Sequence, residues 1–280
     1  MVAKKKNSAD NLAFARHRFL DEAGDTTFYG KDHVPIIGIQ NGVSLCFILG
    51  MVKFHAPLEP IRQEIRRLQN QVANDPYFKE VPSIQKKKAE AGGYYFHATD
   101  DPQEARKVFF DYLQSLDFSF EAVVGRKIPE IFVHKHNSHE SEFYADLLSH
   151  LLKNKLQGGG DLILDIAQRG KVTRNIVFED ALEKATVRFL KRKTPDQIKT
   201  RIAFNVQYPR TEPLLNVSDY MCWAVQRVFE RGETRYYNFI VNKVALVVDL
   251  YDSSHYAKNE NYYTPRRPLT ALNKISPPSY

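Results

Sequence analysis

The chain has 280 residues, which corresponds to one large domain or two small ones. Hydrophobic residues make up 43% of the sequence and charged residues 26%, so wholesale disorder and fibrous repeats are excluded. The 40 Lys and Arg residues exceed the 33 Asp and Glu residues and give a formal net charge of +7. This basic excess permits a polyanionic partner without requiring one.

Cysteine usage and hydropathy narrow the class of protein further. Cys46 and Cys222 are the only cysteines, and each lies in an apolar run, which argues against a disulfide scaffold or a cysteine-based zinc site. The first residues lack the apolar core of a signal peptide, and no stretch approaches the roughly 18 continuous apolar residues of a membrane span. We therefore expect a cytoplasmic protein with no membrane association.

The first part of the chain alternates strand and helix patterns. Its predicted elements are a basic N-terminal segment at 1–15, a strand at 16–21, a hairpin neighbour at 34–39, a central strand at 43–54, a charged helix at 58–72 within a helical insertion at about 57–92, and an amphipathic helix at 101–116. Asp101 is the predicted cap of that last helix, with Glu104 completing a capping box.

The second part predicts strands that alternate with helices. The elements are a strand at 118–125, a helix at 140–156, a strand at 161–167, a helix at 177–190, a strand at 201–208, a helix at 214–231, a segment at 236–249 that is ambiguous between helix and strand, and an irregular basic tail at 251–280. Early antiparallel strands followed by alternating strands and helices indicate an α/β domain at 16–250, built as a mixed sheet with helices on its faces.

An acidic turn follows the first strand. Asp21, Glu22 and Asp25 lie in the sequence Asp-Glu-Ala-Gly-Asp. A carboxylate on a central strand is costly to bury unless a cation meets it, and a divalent metal is one such cation. Ordinary turn chemistry is the alternative, because Asp and Gly commonly end strands.

Asp165 raises the same question, because it interrupts an otherwise apolar strand. It is either a functional acid or one half of a structural ion pair, for which Arg169 and Arg174 are nearby in sequence.

Asp219 lies near the start of the last long helix. If Asn216 caps that helix, an acid at the third helical position complements the helix dipole. Apolar residues flank Asp219 on both sides of the helix, however, so its carboxylate is expected to be poorly solvated. A role that is limited to complementing the helix dipole does not explain this burial.

Four motifs in order resemble the domain-of-unknown-function 3800 family over roughly 18–249. They are Asp-Glu-Ala-Gly-Asp at 21–25, Phe-His-Ala-Thr-Asp at 96–100, Asp165 in a later strand, and Val-Ser-Asp-Tyr-Met-Cys-Trp-Ala at 217–224. Ala23 and Ser218 depart from the usual Ser and Ala of the family, and both changes spare the acids.

The resemblance implies an RNase H-like fold in which Asp21, Asp165 and Asp219 converge. Such a cluster would hold Mg²⁺ or Mn²⁺ and position water for phosphodiester cleavage, which implies a metal-dependent nuclease acting on DNA or RNA. Glu22, Asp25 and His97 are secondary candidates for ligand support or proton transfer.

Two other functions stay open. One is a non-catalytic nucleic-acid-binding or protein-interaction module on the same fold, and the other is a different metal-dependent phosphoryl-transfer enzyme. His134, His136 and His139 have alternate spacing but no further metal ligand nearby, which favours a solvated loop. The tail carries cations among tyrosines, a mixture that either tracks phosphates and stacks on bases or is simply an irregular end.

Overall fold

The computed structural model describes residues 16–39, 43–90, 92–168, 175–256 and 260–276, and the structural statements below concern these residues. Its strands are β1 Arg16–Ala23, β2 Cys46–Phe54, β3 Phe118–Arg126, β4 Gly160–Ala167, β5 Thr200–Gln207, β6 Val244–Asp249 and β7 Tyr262–Tyr263. Its α-helices are α1 Leu58–Asn74, α2 Pro82–Ala89, α3 Gln103–Ser115, α4 Pro129–His136, α5 Glu140–Leu152, α6 Asn175–Leu190, α7 Leu214–Arg231, α8 Arg235–Ile240 and α9 Ser253–Tyr256.

These strands form one mixed sheet in the order β5-β4-β1-β2-β3-β6-β7. Strands β1, β2 and β3 form an antiparallel meander, whereas β4 and β5 add in parallel beside β1, and β6 adds in parallel beside β3. The predicted α/β class and mixed sheet are confirmed.

Helices cover both faces of the sheet. Alternate residues of β2 divide between the two cores, as the two-residue period of a strand requires. Ile48 lies in the core beneath α7, α1 and α3, which we call the α7 face. Leu49 lies in the core beneath α5 and α6, which we call the α5 face. This two-sided burial explains why β2 is a nearly continuous apolar run.

Several local predictions need correction. Residues 34–39 form no strand and contribute only an isolated bridge between Tyr29 and Pro35. The ambiguous segment at 236–249 resolves into the short helix α8 and the strand β6. Asp101 does not cap α3, because the residue at the N-cap position is Pro102 and no side chain caps the helix.

The C-terminal segment packs on the domain wherever the structure describes it. Tyr263 pairs with β6 and is buried, and Leu269 is also buried. The backbone N–H of Ile275 donates to the carbonyl of Phe229 at 2.8 Å. This packing fits the structural interpretation of the tail, and Lys258 and Tyr280 lie outside the described residues. Across the described ranges, no helix combines the length and apolar character needed to cross a membrane.

Candidate active site

Helix α7 is fastened directly to β1. Ser218 Oγ donates to the carbonyl of Phe19 at 2.8 Å, and Cys222 Sγ lies 3.3 Å from the carbonyl oxygen of Asp21 as a weak donor. Gly50 faces Asp21 in the neighbouring strand β2, and a Cβ there would collide with Cys222 Sγ. The small residue therefore lets the helix lie close to the sheet, which brings Asp219 beside Asp21.

Asp21 and Asp219 form a pair of acids at this contact. Asp21 Oδ1 accepts from the backbone N–H of Glu22 at 2.7 Å, and Asp219 Oδ2 accepts from the backbone N–H of Ala98 at 2.7 Å. Burial and the charge of Asp219 raise the pKa of Asp21 well above its ordinary value. Burial also raises the pKa of Asp219. Each carboxylate thus lacks enough positive charge around it.

His97 supplies the nearest positive charge. Its Nε2 lies 3.8 Å from Asp219 Oδ1, and its Nδ1 lies 2.9 Å from Asp100 Oδ2, although without good hydrogen-bond geometry. Burial lowers the pKa of His97, but the charges of Asp219 and Asp100 outweigh burial and raise this pKa to about 9. The imidazole is therefore protonated at neutral pH and faces the acid pair.

Asp101 holds the turn that carries His97. Its carboxylate accepts from Tyr220 Oη at 2.6 Å, from Tyr94 Oη at 3.0 Å and from the backbone N–H of His97 at 2.8 Å. Lys87 Nζ completes this buried cluster at 3.2 Å. Sequence reasoning assigned Asp101 to a helix cap and missed this positioning role. The local sequence at the start of a helix cannot reveal that tyrosines from other segments donate hydrogen bonds to this carboxylate.

The acid pair opens into a cavity of about 690 Å³, a volume typical of ligand sites. Three carboxylates and one imidazole line it, from Asp21, Glu22, Asp219 and His97. The other lining residues are Ala23, Gly24, Tyr95, Thr99, Ala167, Gln168, Tyr208, Pro209, Arg210, Thr211, Trp223 and Gln226.

Aromatic rings and an arginine also line the cavity. The guanidinium of Arg210 lies 5.2 Å from the ring centre of Tyr95 and pairs with Glu90. Tyr208 is 59% exposed. Both Tyr208 and Arg210 follow the carboxyl end of the parallel strand β5, which is where α/β sheets place ligand sites. Their place directly after a predicted strand is the sequence signal from which Tyr208 and Arg210 could have been identified as candidate site residues.

Asp165 does not join the acid pair. It lies on the α7 face, but the parallel register places it beside Phe19, and Ala167 is the residue at the level of Asp21. Its carboxylate contacts His17 Nδ1 at 2.7 Å and accepts from Asn205 Nδ2 at 2.7 Å and Gln207 Nε2 at 3.0 Å. The expected convergence thus holds for two of the three acids in this structure. Arg169 and Arg174, the partners expected from sequence, lie outside the described residues.

Among the other sequence candidates, Asp25 and His136 have structural contacts. Asp25 accepts from Lys127 Nζ at 2.9 Å and from the backbone N–H of Ser44 at 2.7 Å, and these contacts outweigh burial and lower its pKa. It therefore stabilises the turn. His134 and His136 lie in helix α4 rather than in a loop, and His136 is buried, with its Nε2 3.4 Å from Asp146 Oδ2.

The donor set limits the metals that the cavity suits. Nowhere in the described ranges do three or more His, Cys, Asp and Glu side chains form a group arranged to hold a metal ion. Asp21 and Asp219 provide two hard oxygen ligands with excess negative charge, and Glu22 lines the same space. Because Mg²⁺ usually takes one or two carboxylates and keeps several waters, the pair fits a hydrated Mg²⁺ or Mn²⁺ ion but not a complete three-aspartate cluster.

Comparison with protein-family models finds no match to the chain, and comparison with curated proteins finds no significant relative. The proposal for function below is therefore based on the residues and the geometry of the cavity.

Proposed function

We propose that the protein is a divalent-metal-dependent nuclease or related phosphodiester hydrolase that works at the cavity between β1 and α7. The observation that carries the proposal is the acid pair, because two adjacent carboxylates in a cavity raise the free energy of the protein unless a cation joins them. Asp21 and Asp219 are the proposed metal ligands. Bound Mg²⁺ or Mn²⁺ would activate water and stabilise negative charge on a phosphate.

The resemblance to the domain-of-unknown-function 3800 family belongs to this proposal. An RNase H-like fold is compatible with the seven-stranded mixed sheet and its flanking helices. The proposal departs from the resemblance at one residue: we assign Asp165 to strand packing, since three side chains of the protein already satisfy its carboxylate.

Each remaining side chain has a proposed role. Protonated His97 donates a proton to the leaving oxygen, and Asp101 holds the backbone that carries His97. Glu22 orients the attacking water at the cavity edge. Arg210 binds a substrate phosphate, and Tyr95 and Tyr208 offer rings for bases. The proposed substrate is nucleic acid, and the two buried unpaired cysteines are compatible with the cytoplasmic location that we propose.

One observation favours a non-catalytic binding module on the same fold. Asp165 has protein partners in place of a metal, so the cavity lacks the third acid that the resemblance implies. A measurement of metal binding and cleavage on the same samples separates the two functions.

The decisive experiment measures thermal unfolding with EDTA, Mg²⁺ or Mn²⁺. At a metal concentration about 100 times the dissociation constant, the free energy of unfolding should rise by about 2.7 kcal/mol, because the ion binds only the folded protein. Asp219→Asn should lose this response, whereas Asp117→Asn, which removes an exposed acid outside the cavity, should retain it.

Cleavage of labelled single-stranded and double-stranded DNA and RNA completes the experiment. The wild type and Asp117→Asn should cleave at least one substrate in the presence of metal, and Asp219→Asn should bind that substrate without cleaving it. Metal-dependent stabilisation without cleavage of any substrate would favour the binding module. Melting curves that metal leaves unchanged would refute the metal site itself.

A further inference from the structure

A second cavity lies on the α5 face, away from the acid pair. It has a volume of about 490 Å³ and lies between the C-terminal ends of α5 and α6. Its lining residues are His150, Lys153, Asn154, Gln157, Arg188, Phe189, Lys191, Arg192 and Lys193. We call this set the basic cavity, because five of its nine residues are Lys or Arg and none is an acid.

Most of these charges have no carboxylate partner. Arg188 pairs with Asp146, but Lys153, Lys191, Arg192 and Lys193 form no ion pair within the described part of the chain. Two acids of the adjoining cavities already have partners, since Lys155 holds Glu121 at 2.7 Å and Lys184 holds Asp180 at 2.5 Å. A third acid there, Glu183, is exposed and does not line the basic cavity.

Burial and the crowding of cations shift the pKa values of two lining residues in the same direction. Burial and the charges of Arg188 and Arg192 lower the pKa of Lys153. Burial and the same kind of repulsion, from Arg188 and Lys153, lower the pKa of His150 to about 3. The imidazole is therefore neutral at physiological pH and offers a hydrogen bond without adding to the repulsion.

Helix dipoles explain only part of this arrangement. A cation in the last turn of a helix is favourable, which accounts for a basic residue at the end of α6. It does not explain why cations from two helices surround one concave space. An anion that enters that space would relieve their mutual repulsion.

We propose that the basic cavity binds a ligand that carries two or more closely spaced phosphate groups. Lys153 and Arg192 contribute from the two helix ends, and Asn154 and Gln157 add uncharged donors. The phosphates belong either to the backbone of a nucleic acid or to a free phosphorylated molecule. The proposal does not rest on metal chemistry at the acid pair, because α5 and α6 lie across the sheet from α7.

The test uses the full-length protein, inorganic pyrophosphate and a fluorescent single-stranded oligodeoxythymidine. The variant Lys153→Gln/Arg192→Gln removes two cavity charges, and Lys53→Gln/Lys79→Gln removes two exposed charges elsewhere as a control with the same net charge. Circular dichroism checks that each variant folds. Lys153→Arg keeps the charge at that position and serves as the conservative variant.

Pyrophosphate should raise the melting temperature of the wild type, the control and Lys153→Arg, and its affinity for the cavity variant should fall by about tenfold or more. If nucleic acid is the source of the phosphates, the oligonucleotide should also bind the cavity variant more weakly. Its log-log salt dependence should then become shallower by about 1.4 for two lost contacts. A response to pyrophosphate alone would identify a free phosphorylated ligand.

Two results would overturn the proposal. One is an absence of any response to both anions in the wild type, and the other is an equal loss of affinity in the cavity and control variants, which would mean diffuse attraction to a basic protein. Mg²⁺ or Mn²⁺ titration of the cavity variant keeps this test separate from the proposed nuclease. The variant should still be stabilised by metal if the acid pair is a metal site, whatever the outcome with phosphate.

Discussion

Asp146 and the Asp21–Asp219 pair are buried acids on opposite faces of one sheet, yet their surroundings shift the carboxyl pKa values in opposite directions. Asp146 contacts Lys135 Nζ at 2.9 Å and Tyr251 Oη at 2.5 Å, and Arg188 also pairs with it. Despite burial, contacts with His136, Lys135 and Tyr251 hold the pKa of Asp146 far below its ordinary value. Burial instead raises the pKa of both Asp21 and Asp219.

This difference teaches that burial of an acid does not by itself mark a functional site. The folded chain supplies every partner that Asp146 needs, so that acid stabilises the native state. The acid pair receives one imidazolium and two backbone N–H groups, so that its charge is left partly unbalanced. The excess negative charge of such a pair in an open cavity would be balanced by a cation or by a proton taken from a substrate.

The largest expected effect is the loss of the Asp146 contacts. Asp146→Ala leaves Arg188 and the buried His136 without their carboxylate, which should lower the free energy of unfolding by about 3 kcal/mol. Urea unfolding measures it, and Asp117→Ala should change the value by less than about 0.5 kcal/mol. A loss for Asp146→Ala as small as that of the control would show that the cations merely surround the acid.

Neutralising one member of the acid pair should have the opposite sign. Asp219→Asn removes the repulsion and keeps an oxygen that accepts from the backbone of Ala98, so the metal-free protein should gain up to about 1 kcal/mol. Urea unfolding in EDTA measures the change. Clear destabilisation in EDTA would mean that His97 already balances the Asp219 charge. Asp219 would then resemble Asp146, whose charge is balanced by protein partners.

Acid titration sharpens the comparison. Because folding lowers the pKa of Asp146, its contribution to stability is complete above the unfolded pKa of about 4 and is lost as the pH falls below it. The difference in unfolding free energy between the wild type and Asp146→Asn should therefore shrink by more than about 1 kcal/mol between about pH 6 and about pH 3. Asp117→Asn supplies the reference. If the difference in unfolding free energy between the wild type and Asp146→Asn did not change with pH, the pKa of Asp146 would not be lowered by folding.

A comparably small effect on stability is expected at Asp165. Asp165→Asn keeps the oxygen that accepts from both Asn205 and Gln207 but loses the charged oxygen that His17 contacts, so it should cost about 1 kcal/mol of stability. The stabilisation by Mn²⁺ should be unchanged, because the carboxylate lies outside the cavity. Loss of the Mn²⁺ response, as expected for Asp219→Asn, would show that Asp165 moves to join the metal and would restore the three-acid cluster.

Periodicity predicted the elements that bury large apolar stripes. The two-sided run of β2 and the apolar positions of α7 specify both the element and its neighbours, and the predicted limits of α7 match the observed Leu214–Arg231. These elements could be predicted because each follows from side chains near one another in sequence. The proximity of Asp21 and Asp219, which are far apart in sequence, was expected only from the family resemblance.

The remaining features depend on contacts between distant segments. The structural interpretation of Asp219 required a cap at Asn216, but Asn216 lies inside α7, and its Oδ1 accepts from Gln69 Nε2 at 2.8 Å. Likewise, sequence marked Asp165 as an exceptional polar residue, but only the strand register shows that Asn205 and Gln207 meet it. Local patterns carry no information about such partners.

The fastening of α7 to β1 has a consequence for the order of assembly. Ser218 and Phe19, whose hydrogen bond holds the two elements together, are 199 residues apart along the chain. A growing chain that ends before Leu214 contains Asp21 but no Asp219, so the acid pair forms only after most of the sheet is already available for α7 to dock on. We therefore expect that incompletely synthesised chains that lack α7 cannot bind metal at this cavity, whatever part of the sheet they have formed.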